Sequence, residues 1–298
     1  MLKKLTFFLV AVAATGQLYS QDFRINVFGG MANYSGDLQA KAITFQQARY
    51  ALGAWVSYDL NPKIMLRGGL HYANVQASDV YQKNPRNQLR NLSFATNIWE
   101  LQAAAEYHFL GMDTRVFSPY VFGGLAAFRY NPYAFDANGS KVFLKPLSTE
   151  GQGITGYPDR KPYNLMQVAV PFGLGVRMMV NDRIDIGAEF GYRKTFTDYM
   201  DDVSRSYIDP ALLLAQRGPK AVEMSYRTPE LPNHTTDPYP VDLEKRGSPE
   251  YKDNYYFFGL TFSYRLTGGD KFNDKRYNNG GRGGGKRRSS MGCPTNVL

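Results

Sequence analysis

The sequence predicts an all-β chain: an eight-stranded antiparallel up-and-down transmembrane β-barrel with a basic, Gly-rich C-terminal tail. Three observations predict it. Apolar residues recur at period two in segment after segment, and period two means strand because successive side chains point to opposite faces. The connections between these segments alternate long and short, as in transmembrane barrels. Aromatic residues gather at both ends of the segments, where a bilayer selects them.

The hairpin at 168–193 sets the pattern. Val168, Val170, Phe172, Leu174, Val176, Met178 and Val180 form one apolar face. After a tight turn at Asn181-Asp182 that face continues through Ile184, Ile186, Ala188, Phe190 and Tyr192. The other face carries Arg177, Arg183, Asp185, Glu189, Arg193 and several glycines. A barrel strand needs roughly 9–11 residues to cross hydrocarbon, and these runs are long enough.

The remaining elements follow in order. Residues 1–20 read as a secretory signal: Lys3 and Lys4, an apolar run from Leu5 to Ala14, then small and polar residues. Residues 21–266 hold the barrel. Strand one, 22–34, sets Phe23, Ile25, Val27 and Met31 against Arg24, Asn26 and Phe28. Strand two, 49–60, puts Tyr50, Leu52, Ala54, Val56, Tyr58 and Leu60 on one face, with Trp55 falling inside. Asn61-Pro62-Lys63 is a tight turn, since Pro fixes φ and cannot pair. Strand three, 64–75, turns Leu66, Leu70 and Tyr72 outward and Arg67 and His71 inward. A polar loop, 77–93, leads to strand four, 98–109, with Trp99, Leu101, Ala103, Ala105, Tyr107 and Phe109 opposite Glu100, Gln102, Glu106 and His108. Strand five, 120–130, is expected to direct Phe122 and Phe128 outward and Arg129 inward. The long loop 131–163 precedes the hairpin, and the longest loop, 197–252, follows it. Within that loop 209–217 reads as a short helix with Pro210 in its first turn. Its leucines either pack on the barrel mouth or are offered to a partner. Strand eight, 256–266, alternates Tyr256, Phe258, Leu260, Phe262 and Tyr264 with Phe257, Gly259, Thr261, Ser263 and Arg265.

The second face decides which way the barrel is turned. A soluble lipocalin-like barrel shows the same alternation with its apolar face inward. Here the other face holds Arg67, His71, Glu100, Glu106, Arg129, Arg177, Asp185, Glu189, Arg193 and Arg265, together with Arg24, Asp59, His108 and Arg183. Unpaired, such groups cannot fill a dry core; mutually paired in a small polar lumen they can. The expected girdles are Tyr58, Tyr107, Phe109, Tyr120 and Tyr264 at the short turns, and Tyr50, Tyr72, Trp99, Phe128, Tyr192 and Tyr256 at the long loops. Gly-Gly pairs at 29–30, 68–69 and 123–124 permit strong bending of a narrow barrel.

Charge and chemistry narrow the function classes. The formal net charge is +9, of which the signal removes two and the tail 267–298 carries five, so the barrel body is near neutral. The basic balance therefore belongs to a tail and not to a nucleic-acid-binding surface. Cys293 is the one cysteine, so no internal disulfide forms, and an intermolecular one is open to it. The tail cannot bury enough apolar surface to fold alone. It either stays a disordered basic segment or docks on a partner through Lys286, Arg287, Arg288, Met291 and Cys293. The three histidines lie far apart, no serine is spaced with one on a strand, and no catalytic, cofactor or metal residue is expected. The cluster Asp198, Asp201 and Asp202 is solvated, or pairs with Arg193 and Lys194, or holds Ca²⁺.

Six blocks carry a family resemblance: GGMANYSGDL (29–38), RNLSFATNIWELQAAAEYHF (90–109), SPYVFGGLAAFRYNP (118–132), LKPLSTEGQG (144–153), VPFGLGVRMMVNDRIDIGAEFGYRKTFTDYMDDVS (170–204) and YYFFGLTFSYRL (255–266). In order and over nearly the whole body, the chain resembles the PorG-type outer-membrane barrels of Bacteroidetes. The resemblance implies a non-enzymatic component of the type IX secretion system that anchors a periplasmic ring of PorK- and PorN-type proteins and supports secretion and gliding motility. The long–short order of the connections sets the barrel in outer-membrane lipid with long loops outside and both mature ends in the periplasm. The alternatives are a general envelope-tethering barrel and a lipid-modifying enzyme.

Overall fold

Alternation along the chain produces long antiparallel strands, and the computed structural model closes them on themselves. It describes residues 23–266 apart from 40, 42 and 112–115. The expected signal at 1–20 and the tail residues Lys286, Arg287, Arg288, Met291 and Cys293 lie outside the described residues. The strands are β1 (Phe23–Ser35), β2 (Arg49–Asn61), β3 (Ile64–Ser78), β4 (Ser93–His108), β5 (Phe117–Arg129), β6 (Tyr133–Phe135), β7 (Lys141–Phe143), β8 (Met166–Met179), β9 (Ile184–Thr195) and β10 (Asn254–Arg265). Three short helices sit in the connections: α1 (Pro85–Arg90), α2 (Pro210–Arg217) and α3 (Pro219–Ser225). Around the barrel the order is β3-β2-β1-β10-β9-β8-β5-β4, and β4 pairs with β3 to close it. That is the expected eight-stranded up-and-down barrel. The hairpin β6–β7 lies outside the ring and pairs with it at one position, Ala95 with Tyr133.

Two of the short turns are built alike. Asn61 Oδ1 accepts the backbone N–H groups of Lys63 and Ile64, both at 2.9 Å. Asn181 Oδ1 does the same for Arg183 and Ile184, at 2.9 and 2.8 Å. An Asx turn satisfies the donors that the departing strand leaves. Inside, glycines let neighbouring walls approach. Gly30 faces Gly259 across β1 and β10, and a Cβ on Gly30 would lie 2.2 Å from the Phe258 carbonyl oxygen. Only glycine fits that bend.

The outer face is the apolar one. Leu260 is 70% exposed and Leu70 55%, whereas Thr261 and Ser263, in the opposite phase, are buried. An exposed apolar belt around a closed barrel, with a polar interior, is the build of a membrane-spanning barrel.

Strand β5 corrects the expectation. Tyr120, Phe122 and Phe128 point inward and are buried, while Val121, Leu125 and Arg129 point outward. Arg129 therefore does not belong to the lumen network, and Tyr120 and Phe128 do not belong to the girdles. The cause is chemical symmetry: both faces of β5 are apolar, so its alternation carries no phase. The lumen decides instead, because its arginines need aromatic faces. Arg129 sits opposite Trp99 at the long-loop end of the belt, where a long cationic side chain reaches the interface. Tyr256 keeps the expected phase but is covered by the first long connection.

Leu260→Arg places a charge at mid-belt and should lower folding stability in lipid vesicles by about 2–4 kcal/mol. Leu243→Arg, on an exposed loop, should leave it unchanged. Urea-induced unfolding midpoints in vesicles measure both, and equal midpoints would mean that β10 does not face lipid.

Candidate functional site: the charged lumen and its cap

Inward positions of the strands bring ten charged side chains together. Five are arginines (Arg24, Arg67, Arg177, Arg193, Arg265) and five are carboxylates (Asp59, Asp185, Glu100, Glu106, Glu189), so the set is neutral as a whole. At the short-turn end Arg24 donates to Asp185 at 2.6 Å and to Asp59 at 2.8 Å. One layer on, Arg67 donates to Glu189 at 2.6 and 3.2 Å and to Glu106 at 3.2 Å. Arg177 reaches Glu106 at 3.2 Å, and the Tyr120 hydroxyl donates to Glu189 at 2.8 Å. Toward the long loops Glu100 accepts two bonds of 3.3 Å from Arg193 and one of 2.6 Å from the Tyr255 hydroxyl. Arg265 stands at the short-turn mouth with its Nε unbonded.

Aromatic rings fill the space between these groups. The Arg67 guanidinium lies 3.8 Å from the Phe122 ring centre, and that of Arg193 lies 3.9 Å from Phe257. Such stacking suits a weakly hydrated guanidinium taken out of water. Glycines make room for it: a Cβ on Gly191 would fall 2.4 Å from Arg193 Nη1.

The histidines differ from one another. His71 stacks on Trp55 at 5.6 Å, and its Nδ1 stands 3.4 Å from Glu100 without a hydrogen bond. His108 lies between Glu106 and Ser118, at 3.2 Å from each. Spacing along the chain does not point to this serine, because Ser118 arrives from the neighbouring strand. Its hydroxyl already donates to the Leu110 carbonyl at 2.5 Å and is buried, so it is not free to act as a nucleophile.

Above the charges the lumen is apolar and closed. Phe28, Trp55, Phe128 and Phe257 from the barrel join Leu144, Met200 and Val203 from the loops in one cluster. The loops are tied over it by polar side chains. Glu150 accepts the backbone N–H groups of Ser204 and Arg205 at 3.0 and 2.9 Å and the Arg246 guanidinium at 3.0 Å. Arg160 donates to the carbonyls of Glu150 and Ser206 at 2.7 and 2.9 Å. Helix α2 forms where its capping residues predict, with Asp209 Oδ1 accepting from the Ala211 N–H at 2.7 Å. Of its leucines Leu213 packs with Ile154, Ile208 and Ala221, while Leu212 and Leu214 stay exposed.

The acidic cluster overturns the solvated reading. Asp198, Asp201 and Asp202 are all buried, and none pairs with Arg193, which is committed to Glu100. Hydroxyls hold them instead: Ser204 donates to Asp198 at 2.6 Å, Tyr34 to Asp201 at 2.7 Å, and Thr149 and Tyr163 to Asp202 at 2.5 and 2.7 Å. The Tyr34 oxygen also lies 2.5 Å from Asp253. A phenol has one proton to donate, so a carboxyl proton must serve the second contact. Burial pushes Asp198 up to about 7 and Asp202 up to about 6, the latter against the pull of Arg246. Burial, then repulsion from Asp253, holds Asp201 well above the usual carboxylate range. Among the described residues no group of three or more His, Cys, Asp and Glu side chains converges as metal ligands would.

Fold and site together define a class: an eight-stranded transmembrane β-barrel of the outer-membrane type with a charged, ring-filled lumen. By sequence the chain belongs to the family described as domain of unknown function DUF6089, whose model matches residues 3–209. No curated protein matches it. The solved structures it is similar to are distant in sequence. Neisserial surface protein A is 12% identical, with 81% of this chain and 96% of that one covered and a TM-score of 0.39. The outer membrane protein OprG of Pseudomonas aeruginosa is 11% identical, with coverages of 84% and 97% and a TM-score of 0.41. A major outer membrane protein of Thermus thermophilus is 12% identical, with coverages of 83% and 100% and a TM-score of 0.40.

Among the described residues Glu106 is the one carboxylate bonded to Arg177, so Glu106→Ala strands a buried cation and should cost about 3–5 kcal/mol. Adding Arg177→Met should recover part of the loss. Urea unfolding in detergent micelles compares the two, and an additive double variant would refute the pairing.

The cap should loosen as pH rises. In the closed cap these carboxyls keep protons that they would lose near pH 4 in an open one. Their contribution is therefore complete below about pH 4 and is lost as pH rises through 6 to 7. Hydrogen exchange of residues 198–204, corrected for its intrinsic pH dependence, should accelerate between pH 5 and 8. Unchanged protection would refute the proton-holding cluster.

Proposed function

We propose that this protein is a non-enzymatic outer-membrane anchor that works through its surfaces and not through its lumen. The observation that carries the reading is the lumen itself: neutralised charge and stacked rings fill it, and folded loops close one end. Such a barrel offers no route to solutes. The resemblance of its strand blocks to PorG-type barrels supports a place in the type IX secretion system, with the barrel anchoring the periplasmic ring of PorK- and PorN-type proteins. In this reading the long loops are extracellular and both mature ends are periplasmic, so the basic tail 267–298 starts on the ring side. Lys286, Arg287, Arg288 and Met291 supply charge and apolar contact there, and Cys293 supplies a thiol for an intermolecular disulfide.

Among the described residues the line Glu106–His108–Ser118 is the arrangement that favours a hydrolytic, lipid-modifying reading. Its place inside the barrel, with the serine hydroxyl already committed, speaks against it.

Purification of the full chain in mild detergent should bring down the ring proteins, and removal of 267–298 should release them while the barrel stays in the membrane. Retention of the ring by the truncated barrel would refute the tail as the contact. Absence of the ring from both would favour a general envelope tether. In planar bilayers the purified barrel should show no steady nanosiemens conductance, and a stable open pore would overturn the sealed-lumen reading.

A further inference from the structure

The first long connection does not stay above the barrel. Asn33 and Tyr256 face each other across β1 and β10, in the same outward phase as Met31 and Phe258. Met31 is 53% exposed and Phe258 44%, as belt residues are, yet Asn33 and Tyr256 are only 2% and 3% exposed. Residues 43–46 cover them. Asn33 Nδ2 donates to the carbonyl oxygens of Thr44 and Gln46 at 2.6 and 2.9 Å. The Thr44 N–H donates to the Tyr256 hydroxyl oxygen at 2.6 Å, and that hydroxyl donates back to the Thr44 carbonyl. The Gln46 N–H is taken by Thr44 Oγ1 at 3.1 Å, and the Phe45 carbonyl accepts from the Ala48 N–H at 3.3 Å.

Two further facts set the depth and the exposure of this segment. The Phe45 ring meets Phe258 edge-on at 6.0 Å, one outward position deeper along β10 than Tyr256. Ile43 and Phe45 remain 57% and 66% exposed. An asparagine on the outer wall is costly against hydrocarbon unless bonded, and a loop lies there at lower cost the more of its backbone groups are paired. Asn33 and Tyr256 supply bonds to the backbone of Thr44 and Gln46, and that backbone satisfies the asparagine in return.

We propose that residues 43–46 form a clip on the outer wall that inserts Ile43 and Phe45 into the acyl-chain region of the leaflet on the long-loop side. The occupant of this surface is lipid, because the clip continues the apolar belt and joins it through Phe258. The inference rests on the barrel spanning a membrane, so the test carries a separate control for that.

Spin labels are placed singly at Ile43→Cys and Phe45→Cys in a Cys293→Ser background, which removes the chain's one cysteine. Leu70→Cys marks the belt and Val241→Cys the exposed loops. The full chain is reconstituted in phospholipid vesicles, and collision with oxygen is compared with collision with a water-soluble nickel chelate. The clip labels should favour oxygen, as Leu70→Cys does, and Val241→Cys should favour nickel. In the clip-labelled protein, Asn33→Ala should shift the balance toward nickel. Clip labels that favour nickel while Leu70→Cys favours oxygen would overturn the clip and leave the membrane reading intact. Clip labels screened from both reagents would mean that protein covers the surface, and would overturn it too. A Leu70→Cys label that favours nickel would sink the membrane reading itself.

Discussion

Everything in this barrel depends on how charge is neutralised in a lumen too narrow for water to do it. Eight strands leave an interior that side chains fill. The chain fills it with arginine–carboxylate pairs, some between neighbouring strands and others across the lumen. Arg24 on β1 ties β2 through Asp59 to β9 through Asp185. Arg67 on β3 ties β4 through Glu106 to β9 through Glu189. Glu100 on β4 holds Arg193 of β9 and Tyr255 of β10. Buried pairs are weak sources of net stability, because desolvation consumes the Coulomb gain. Their value here is registry. A slip of one residue along any of these strands would turn its charged set into the lipid.

The network also explains the distribution of glycine and aromatic residues. A guanidinium needs a flat partner and space to lie in. Phe122 and Phe257 provide the faces, and Gly191 provides space beside Arg193. Gly175 does the same for the Tyr120 ring, whose hydroxyl serves Glu189. Strand β5 contributes no charge to the lumen and supplies Phe122 beneath Arg67 and Tyr120 beside Arg177.

Legibility in the sequence follows the same chemistry. Where the two faces of a strand differ, as in β4 with Glu100 and Glu106 against Trp99 and Leu101, alternation decides which side chains enter the lumen. Where both faces are apolar, as in β5, alternation carries no direction, and it misplaces Arg129. Helix α2 is legible because Asp209 and Pro210 mark a helix start by local chemistry. The cap is not. Its ties join residues far apart in chain and without period, such as Glu150 with Arg246 and Tyr34 with Asp201 and Asp253. A run of aspartates near a loop start looks solvated until the loops that bury it are known. Asn33 is hidden for a similar reason: a polar residue in outward phase makes sense only once the loop over it is placed.

The lumen and the cap meet the same difficulty by different means. In the lumen each carboxylate is neutralised by arginine, whose charge does not titrate in any physiological range. In the cap Glu150 has Arg246, but Asp198, Asp201 and Asp253 rely on hydroxyls, backbone N–H groups and retained protons. The barrel wall is thus held by arginine–carboxylate pairs, and part of the loop structure above it by carboxyls that keep their protons. The Phe128, Tyr130 and Tyr255 rings pack in the apolar cluster with the loop residues, and Tyr34 of β1 ties the cap to the wall. What separates wall and cap is therefore the means by which buried carboxylates are neutralised: arginine in the lumen, hydroxyls and retained protons in much of the cap.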